Sequence, residues 1–379
     1  MFNYFLSFIL LSLFFSCSVE NGGKSSGVND YSGALSEQNT GEWIKPKYAS
    51  GFIIYSTKDF YKCYLLNSKD TLACYVLAKN NEVKNAIPIP CRKPLLMSSI
   101  YSYMTFRIGA SDLIAGIDNL DYICDSFLRA ELISKKIPEL GKFDKWDTEK
   151  ILRLSPDVIF TWGNLSTQSV SVPDRVNEHC KVVFLNDHSE NHPLARAEWI
   201  KFMACFFDAL NLADSLFTQT ENKYNTLKNS VPKSKSRPSV FTEVKLSEGW
   251  YIPGGQSTTS QLIDDAGGTY LWREIKKSGS LCLSFEEVFK RARNAEFWIN
   301  LPLIKSKAEL VSRDERYTYF NAFTRSSIYN NDARLGIGGG SAYWEEGIVC
   351  PDKVLKDLIC IFNSSSINSD SLYFYRQLK

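Results

Sequence analysis

The sequence predicts an α/β protein of two Rossmann-like lobes joined by a long bridging helix, with a β-hairpin extension ahead of the first lobe. Three observations lead to this prediction. Short apolar strand candidates alternate with helical stretches after residue 95, a strongly helical segment interrupts this alternation near the middle of the chain, and the alternation then resumes. Such alternation is typical of largely parallel sheets covered by helices.

The composition indicates an ordinary globular protein. The chain has 379 residues, of which 44% are hydrophobic and 23% charged, and this length suggests two to three domain-sized units. Lysine and arginine number 44 and the acidic residues 42, so the formal net charge is only +2, and no basic block is present. A nucleic-acid partner is therefore not expected.

The first residues predict a lipoprotein signal peptide. An apolar run from Phe5 to Phe15 is followed by Ser16 and Cys17, and the run is too short to cross a bilayer as a helix. We therefore expect a signal peptide over 1–16, a lipid anchor on Cys17 that holds the protein at a membrane, and a flexible tether over 17–42. A plain signal peptide or a membrane anchor is the alternative.

Residues 43–94 predict a β-hairpin extension. Three short apolar segments lie at 51–55, 61–66 and 72–77, with a turn-like sequence between the last two. Cys63 and Cys74 flank this hairpin, where a disulfide between them is one possibility.

The lobes follow from the strand candidates and the helical segment between them. We expect a first lobe over 95–194, a helical connection over 195–232 and a second lobe over 233–379. One apolar face of the connection repeats with helical spacing. Its members are Trp199, Phe202, Met203, Phe206, Phe207 and Leu210. Strand candidates in the lobes are Leu95–Ser99, Val158–Trp162, Val182–Leu185, Val240–Val244, Phe297–Leu301 and Ile328–Tyr329.

Several motifs, in this order, resemble those of a known family. They are Lys93–Ser99, Ile108–Ile117, Ile137–Phe143, Asp147–Ile159, Leu283–Phe289 and the C-terminal group that ends with Pro351–Leu358. The segment Asp147–Ile159 is the most specific of them. The set resembles the helical-backbone (class III) periplasmic substrate-binding proteins of iron-siderophore, haem and cobalamin ABC importers, and its C-terminal part resembles Bacteroidetes-type lipoproteins of that class.

The resemblance implies a binding protein and not an enzyme. Such a protein captures an iron chelate or a cobalamin-like small molecule between its lobes and delivers it to an ABC permease. It also implies a monomer that faces the periplasm of a Gram-negative bacterium. The ligand itself does not follow: a ferric siderophore, cobalamin and haem all fit the class.

The resemblance also implies which residues meet the permease and the ligand. One glutamate on each lobe docks on the permease, and the matching positions are Glu149 and Glu286, with Glu287 next to the latter. The ligand pocket is expected at the carboxyl ends of the strands, where open α/β sheets bind ligands. Candidate ligand-binding residues are Tyr101, Asp121, Tyr122, Trp146, Trp162, Trp250, Arg334, Tyr343 and Trp344. The glycines at 254–255 and 338–340 are expected to allow turns or a close approach to the ligand.

Two other classes of protein fit the sequence less well. A zinc- or manganese-binding protein needs several histidine and carboxylate ligands, and the only histidines are His179, His188 and His192. No nucleophile elbow, Walker A loop or dinucleotide-binding glycine motif occurs in a suitable place, which argues against the corresponding enzymes. No cofactor is expected.

Overall fold

The computed structural model describes residues 41–67, 70–80, 83, 85–141, 145–163, 172–232, 236–246, 249–363 and 372–379. They belong to one compact unit, Thr40–Lys379. The predicted signal peptide, the lipidation of Cys17 and almost all of the predicted tether lie outside the described residues. Within the described ranges, every helix is too short or too polar to cross a membrane.

A five-stranded sheet precedes the first lobe. Its strands, in both chain and spatial order, are β1 (Glu42–Ile44), β2 (Phe52–Ser56), β3 (Phe60–Asn67), β4 (Asp70–Ala78) and β5 (Ile87–Pro88). The first four pair antiparallel, and β5 lies parallel to β4. The predicted hairpin is the β3–β4 pair, so the extension is larger than a hairpin. The N–H of Phe60 donates to the hydroxyl of Thr57 at 3.0 Å in the turn that adds β2 to this pair.

The suggested pairing of Cys63 with Cys74 in a disulfide is wrong. In the β3–β4 register, Cys63 lies opposite Tyr75, and Cys74 lies opposite Tyr64. Because successive residues of a strand point to opposite faces, the two thiols lie on different sides of the sheet. All nine cysteines in the described part of the chain are free.

The first lobe is a parallel sheet with the strand order β7, β6, β8, β9. Its strands are β6 (Pro94–Leu96), β7 (Gly116–Ile117), β8 (Val158–Trp162) and β9 (Val182–Leu185). Its helices are α1 (Ser99–Arg107), α2 (Ser126–Ser134), α3 (Thr148–Leu154) and α4 (Asp174–His179). Strand β6 ends at Leu96 and not at the predicted Ser99, because Ser99 already begins α1. The side chains of Asp125 and Asp147 accept N–H bonds at the start of α2 and α3 and so fix where these helices begin.

The connection between the lobes consists of two helices, α5 (Pro193–Cys205) and α6 (Leu210–Ser230). The six positions of the predicted apolar face are all buried. The periodicity suggested that the helix continues past residue 205. Helix α5 instead ends at Cys205, and Asp208 follows with a left-handed φ of 53°. A left-handed residue cannot continue a right-handed helix. Helix α6, with 21 residues, corresponds to the predicted long helix.

The second lobe has a five-stranded sheet in the order β12, β10, β14, β15, β16, parallel except for the last strand. Its strands are β10 (Ser239–Thr242), β12 (Thr269–Tyr270), β14 (Phe297–Ile299), β15 (Ile328–Asn330) and β16 (Arg376–Gln377). A separate ribbon pairs β11 (Trp250–Pro253) with β13 (Ser280–Leu283). The helices are α7 (Thr258–Asp265), α8 (Phe285–Ala292), α9 (Lys307–Arg313), α10 (Asn321–Thr324), α11 (Glu346–Val349) and α12 (Pro351–Asn363).

Two buried carboxylates fasten the N-terminal sheet to the connection. Glu198 of α5 accepts the backbone N–H groups of Lys47, Tyr48 and Ala49 at 2.8 to 3.0 Å. Glu190, just before α5, accepts the backbone N–H groups of Ser50 and Gly51 and the indole N–H of Trp199. Because both carboxylates are buried, these bonds hold the extension firmly against the helices that join the lobes.

Candidate interlobe binding site

A buried tyrosine, aspartate and arginine meet at the carboxyl end of the first sheet. The hydroxyl of Tyr101, in α1, donates to Asp187, which follows β9, at 3.3 Å. Arg196 of α5 donates to the other oxygen of this carboxylate at 2.9 Å. Tyr101 and Asp187 are both almost completely buried. The carboxylate therefore orients the tyrosine and the guanidinium together.

In the second lobe, Tyr343 is buried and meets the ring of Tyr375 edge-on, with centroids 5.9 Å apart. Burial raises the pKa of Tyr343 to about 12, and the positive charge of Arg196 acts in the opposite direction. Arg196 also lowers the pKa of Tyr101, which burial raises. Beside Tyr343, Tyr375 donates to the side-chain oxygen of Asn300 at 2.8 Å. We call this group the interlobe cluster: Tyr101, Asp187, Arg196, Asn300, Tyr343 and Tyr375.

Two further acidic residues follow strands of the two sheets. Burial raises the pKa of Glu243, after β10, to about 8, and its charge acts on Tyr343. Glu243 has a left-handed φ of 66°, which is uncommon for a residue with a side chain. Burial raises the pKa of Asp118, after β7, to about 7, and its Oδ1 has no hydrogen-bond partner among the described residues. Both groups can accept a proton near neutral pH or a hydrogen bond from a ligand.

The lobes also touch directly through Glu345. Its carboxylate accepts the N–H of Cys124 at 2.7 Å and that of Asp125 at 3.0 Å, at the start of α2. A Cβ built on Gly338 would lie 2.1 Å from the Cβ of Asp121. The glycine loop was expected to turn or to approach the ligand, but Gly338 instead approaches the other lobe. We call these contacts the interlobe clasp.

The remaining predicted ligand residues near the clasp are exposed to different degrees. Trp162 ends β8 and meets the ring of His188 edge-on, with centroids 5.8 Å apart. Tyr122 and Trp344 are exposed and belong to the two segments of the clasp. Arg334 is exposed, and its guanidinium lies 4.3 Å above the ring of Tyr373 in the second lobe. Of these residues, Trp344 meets the interlobe cluster through its ring, whose centroid lies 4.8 Å from that of Tyr343.

Trp250 lies elsewhere, in the core of the second lobe. It is fully buried, and its indole N–H donates to the carbonyl of Thr242 at 3.0 Å. Its ring packs against those of Phe241, Trp298 and Tyr317, among others. Trp250 was expected to contact the ligand as an aromatic residue of the second lobe, but β11 places its ring in the core. The structure therefore gives Trp250 a packing role.

Trp146 lies on a separate small core of the first lobe. It packs, partly buried, against a cluster formed around Leu95, Ile151 and Ile159. Its indole nitrogen is buried and has no hydrogen-bond partner in the described residues. The described contacts therefore do not join Trp146 to the interlobe cluster. Its indole N–H is free to donate a hydrogen bond to a ligand.

Each predicted docking glutamate is exposed in the first turn of a helix. Glu149 lies in α3 and forms an ion pair with Arg175. Glu286 lies in α8 and forms an ion pair with Arg316 at 3.2 Å. The neighbouring Glu287 instead completes a capping box with Ser284, and the bond from the Ser284 N–H lowers its pKa. Of the two second-lobe glutamates, Glu286 is therefore the one whose carboxylate does not cap its own helix.

A cavity of about 510 Å³ lies beside Glu286 on the second lobe. Its lining combines aromatic and basic side chains with the carboxylate of Glu286. These residues are Phe285, Glu286, Phe289, Lys290, Arg293, Arg316 and Tyr319. The cavity lies at helix α8 and not between the carboxyl ends of the sheets.

The described residues contain no group of three His, Cys, Asp or Glu side chains placed to hold a metal ion. His192 accepts the N–H of Leu194 at 3.1 Å and caps α5. Burial lowers the pKa values of both His188 and His192. The third histidine, His179, forms a hydrogen bond with the carbonyl group of Arg175 at 2.8 Å, so all three have local structural partners.

Sequence reasoning missed Asp187, Arg196, Glu243 and Glu345. Arg196 interrupts an otherwise apolar helix face, and Asp187 follows a strand, so both gave a weak signal. Glu345 gave none, because its N–H partners lie more than 200 residues away in the chain.

Comparisons with known proteins agree with this architecture. The chain is 22% identical over 329 residues to an uncharacterized lipoprotein of Methanocaldococcus jannaschii, a match that covers 83% of this chain and 75% of the relative. A possible iron-binding (periplasmic solute-binding) protein from Staphylococcus epidermidis has a similar structure, with a TM-score of 0.56, 19% identity and coverage of 73% of this chain and 100% of that one. A periplasmic heme-binding protein from Pseudomonas aeruginosa gives a TM-score of 0.56, 14% identity and coverage of 73% and 94%.

The family itself follows from a sequence model. The model described as "Periplasmic binding protein" matches residues 98–335, which is more than half of the chain and spans both lobes. The two-lobed α/β fold of the solved structures supports the same assignment. The chain therefore belongs to the periplasmic binding protein family, whose members are solute-binding transport proteins and not enzymes.

Proposed function

We propose that this chain is the substrate-binding lipoprotein of an ABC importer and captures an iron complex, a ferric siderophore, between its lobes. Cobalamin or haem is the alternative ligand of the same class. The observation that supports the proposal is the interlobe cluster, which consists of buried, hydrogen-bonded polar side chains from both halves of the chain. Hydroxyl, guanidinium and carboxyl groups at facing strand ends suit a polar chelate.

The proposed ligand set keeps the predicted residues that belong to the cluster or lie near the clasp, and it also keeps Trp146. It contains Tyr101, Asp121, Tyr122, Trp162, Arg334, Tyr343 and Trp344, with Trp146 at a distance. The rings of Tyr122, Trp162 and Trp344 offer flat surfaces for a conjugated ligand. Arg334 offers a cation for a carboxylate or a catecholate oxygen.

A titration of the purified chain tests the ligand class. Tryptophan fluorescence is followed as ferric siderophores, haem, cobalamin, zinc and manganese are added separately. We expect one chelate to quench the fluorescence at submicromolar concentration, and Tyr343→Phe to weaken that binding at least fivefold by removing one hydrogen bond. No response to any chelate, together with saturable binding of zinc, would place the protein in the metal-ion class instead.

We also propose that Glu149 and Glu286 dock on the permease. Both are exposed carboxylates at helix N-termini, and an arginine on a partner can replace the arginine that each of them now meets. In membranes that contain the permease, Glu149→Ala and Glu286→Ala should reduce uptake while ligand affinity stays unchanged. Glu287→Gln is the matched control, because Glu287 caps its own helix. Loss of affinity with intact uptake would contradict the assignment.

The proposed location is the periplasmic side of a Gram-negative membrane, with Cys17 as the lipid-bearing residue. The apolar run from Phe5 to Phe15, followed by Ser16 and Cys17, supports the lipid anchor, and so does the similarity to a protein described as a lipoprotein. Metabolic labelling with a radioactive fatty acid tests it. Wild type should incorporate label, and Cys17→Ser should not.

A further inference from the structure

The outer face of the N-terminal sheet is unusually rich in aromatic side chains. In the pairing of β1 to β4, Trp43 lies opposite Tyr55, which lies opposite Lys62. In the next row Ile53 lies opposite Tyr64. Because side chains alternate along a strand, all five project from the side opposite the buried Phe52 and Ile54. An antiparallel sheet with one solvated face normally places polar residues there.

The aromatic rings pack on one another, and the ring of Trp43 is exposed, whereas Tyr55 and Tyr64 are half-buried. The ring of Trp43 lies 5.1 Å from that of Tyr55 and 5.6 Å from that of Tyr64. Trp43 remains 55% exposed. We call Trp43, Ile53, Tyr55 and Tyr64 the aromatic face. Tryptophan and tyrosine combine an apolar ring with a polar edge, which suits the boundary between hydrocarbon and water.

The charge of this part of the chain also differs from that of the rest. Between residues 41 and 92 the sequence has eight Lys or Arg and four Asp or Glu, a formal net charge of +4, whereas the whole chain carries only +2. Lys62 lies beside the aromatic face, opposite Tyr55, and Lys58 is exposed in the turn between β2 and β3. Cations beside exposed aromatic rings fit an anionic lipid surface.

The inner face of the sheet is already occupied. Phe52 packs on Trp199 and Phe202 of α5, with ring centroids 5.0 and 5.5 Å apart. The bonds to Glu190 and Glu198 fix the sheet to the connection between the lobes. The aromatic face is therefore held rigidly on the side that points away from the helical connection.

We infer that the aromatic face binds the headgroup region of an anionic lipid bilayer. The sheet follows the predicted lipid-bearing Cys17 in the chain, so the anchor and this face would act on one membrane and orient the protein on it. Two weak signals of this kind together give stable membrane binding, whereas one alone is marginal. The inference depends neither on the identity of the ligand nor on the docking glutamates.

Sedimentation with lipid vesicles tests this inference on the chain without its lipid. The protein that begins after Cys17 is mixed with vesicles of phosphatidylglycerol and phosphatidylcholine, or of phosphatidylcholine alone. We expect binding to the anionic vesicles at low salt that weakens at high salt. Trp43→Ser should lower the partition coefficient roughly tenfold. Lys62→Gln should lower it roughly fivefold, and only at low salt.

Trp344→Ser is the matched control, because Trp344 is 52% exposed and lies in the second lobe. It should leave vesicle binding unchanged. The inference is overturned if the wild type does not bind anionic vesicles, or if Trp344→Ser weakens binding as much as Trp43→Ser does. Thermal unfolding of each variant shows whether it is folded, and Lys62→Gln tests the same face without removing a ring.

Discussion

Replacing Glu345 by glutamine is expected to remove a pH dependence from the stability of this protein. Glu345 is 1% exposed and accepts N–H bonds from Cys124 and Asp125 across the lobes. Burial raises its pKa from 4.5 to about 7. A carboxyl whose pKa is raised by folding favours the folded state below its unfolded pKa, and this contribution is lost as the pH rises through the folded pKa.

The size of the effect follows from the two pKa values. Between pH 5 and pH 8, Glu345 should subtract about 2 to 3 kcal/mol from the free energy of unfolding, at roughly 1.4 kcal/mol per pKa unit. Glutamine keeps the shape and one carbonyl acceptor but does not titrate. The free energy of unfolding of Glu345→Gln, minus that of wild type, should therefore rise by this amount over the range. Urea unfolding followed by tryptophan fluorescence measures both proteins.

The difference between the two proteins is the decisive quantity. Burial also raises the pKa values of Asp118 and Glu243, but both proteins contain them, so their contributions cancel. Trp344→Ala is a suitable control, because Trp344 is an exposed neighbour of Glu345 and the substitution removes no titratable group, so its difference from wild type should not depend on pH. If the curves of wild type and Glu345→Gln also run parallel from pH 5 to pH 8, the clasp carboxyl is not desolvated between the lobes and the reasoning fails.

Four other substitutions have expected outcomes in the same urea assay. Gly338→Ala should destabilise the protein by about 1 to 3 kcal/mol, because the new Cβ would collide with Asp121 across the clasp. Trp250→Ala should cost about 3 to 5 kcal/mol as a core truncation, whereas Trp344→Ala, at an exposed ring, should change the free energy of unfolding by less than about 0.5 kcal/mol. Glu198→Ala should cost about 3 to 4 kcal/mol, because three backbone N–H groups lose their acceptor.

Each of these predictions has its own contrary result. Ile337→Ala, at an exposed neighbour of the glycine, serves as the control for Gly338→Ala, and equal effects of the two would argue against a steric clash. Equal effects of the two tryptophan substitutions would contradict the packing role of Trp250. A fully stable Glu198→Ala would show that the N-terminal sheet does not depend on this carboxylate.

Much of the fold was predictable because it is encoded locally. Strand β8 occupies the predicted residues Val158–Trp162, and β9 occupies Val182–Leu185, since both are short apolar runs that end in polar residues. Helix α5 was visible from the spacing of its apolar residues. The break at Asp208 was not visible, because no residue type there demands a left-handed backbone. Strands β1 and β5, which the sequence did not predict, depend on pairing with their neighbours and not on periodicity.

The sequence by itself determined the class of this protein: alternating strands and helices, a helical segment between two halves, and an ordered set of family motifs. Only the tertiary structure decided which side chains meet between the lobes. It moved Trp250 into the core, paired Tyr101 with Asp187, and brought Glu345 to the start of α2 from the far end of the chain. The physical reason is that periodicity reports which face of an element is buried, whereas contacts between distant segments depend on how whole sheets and helices pack.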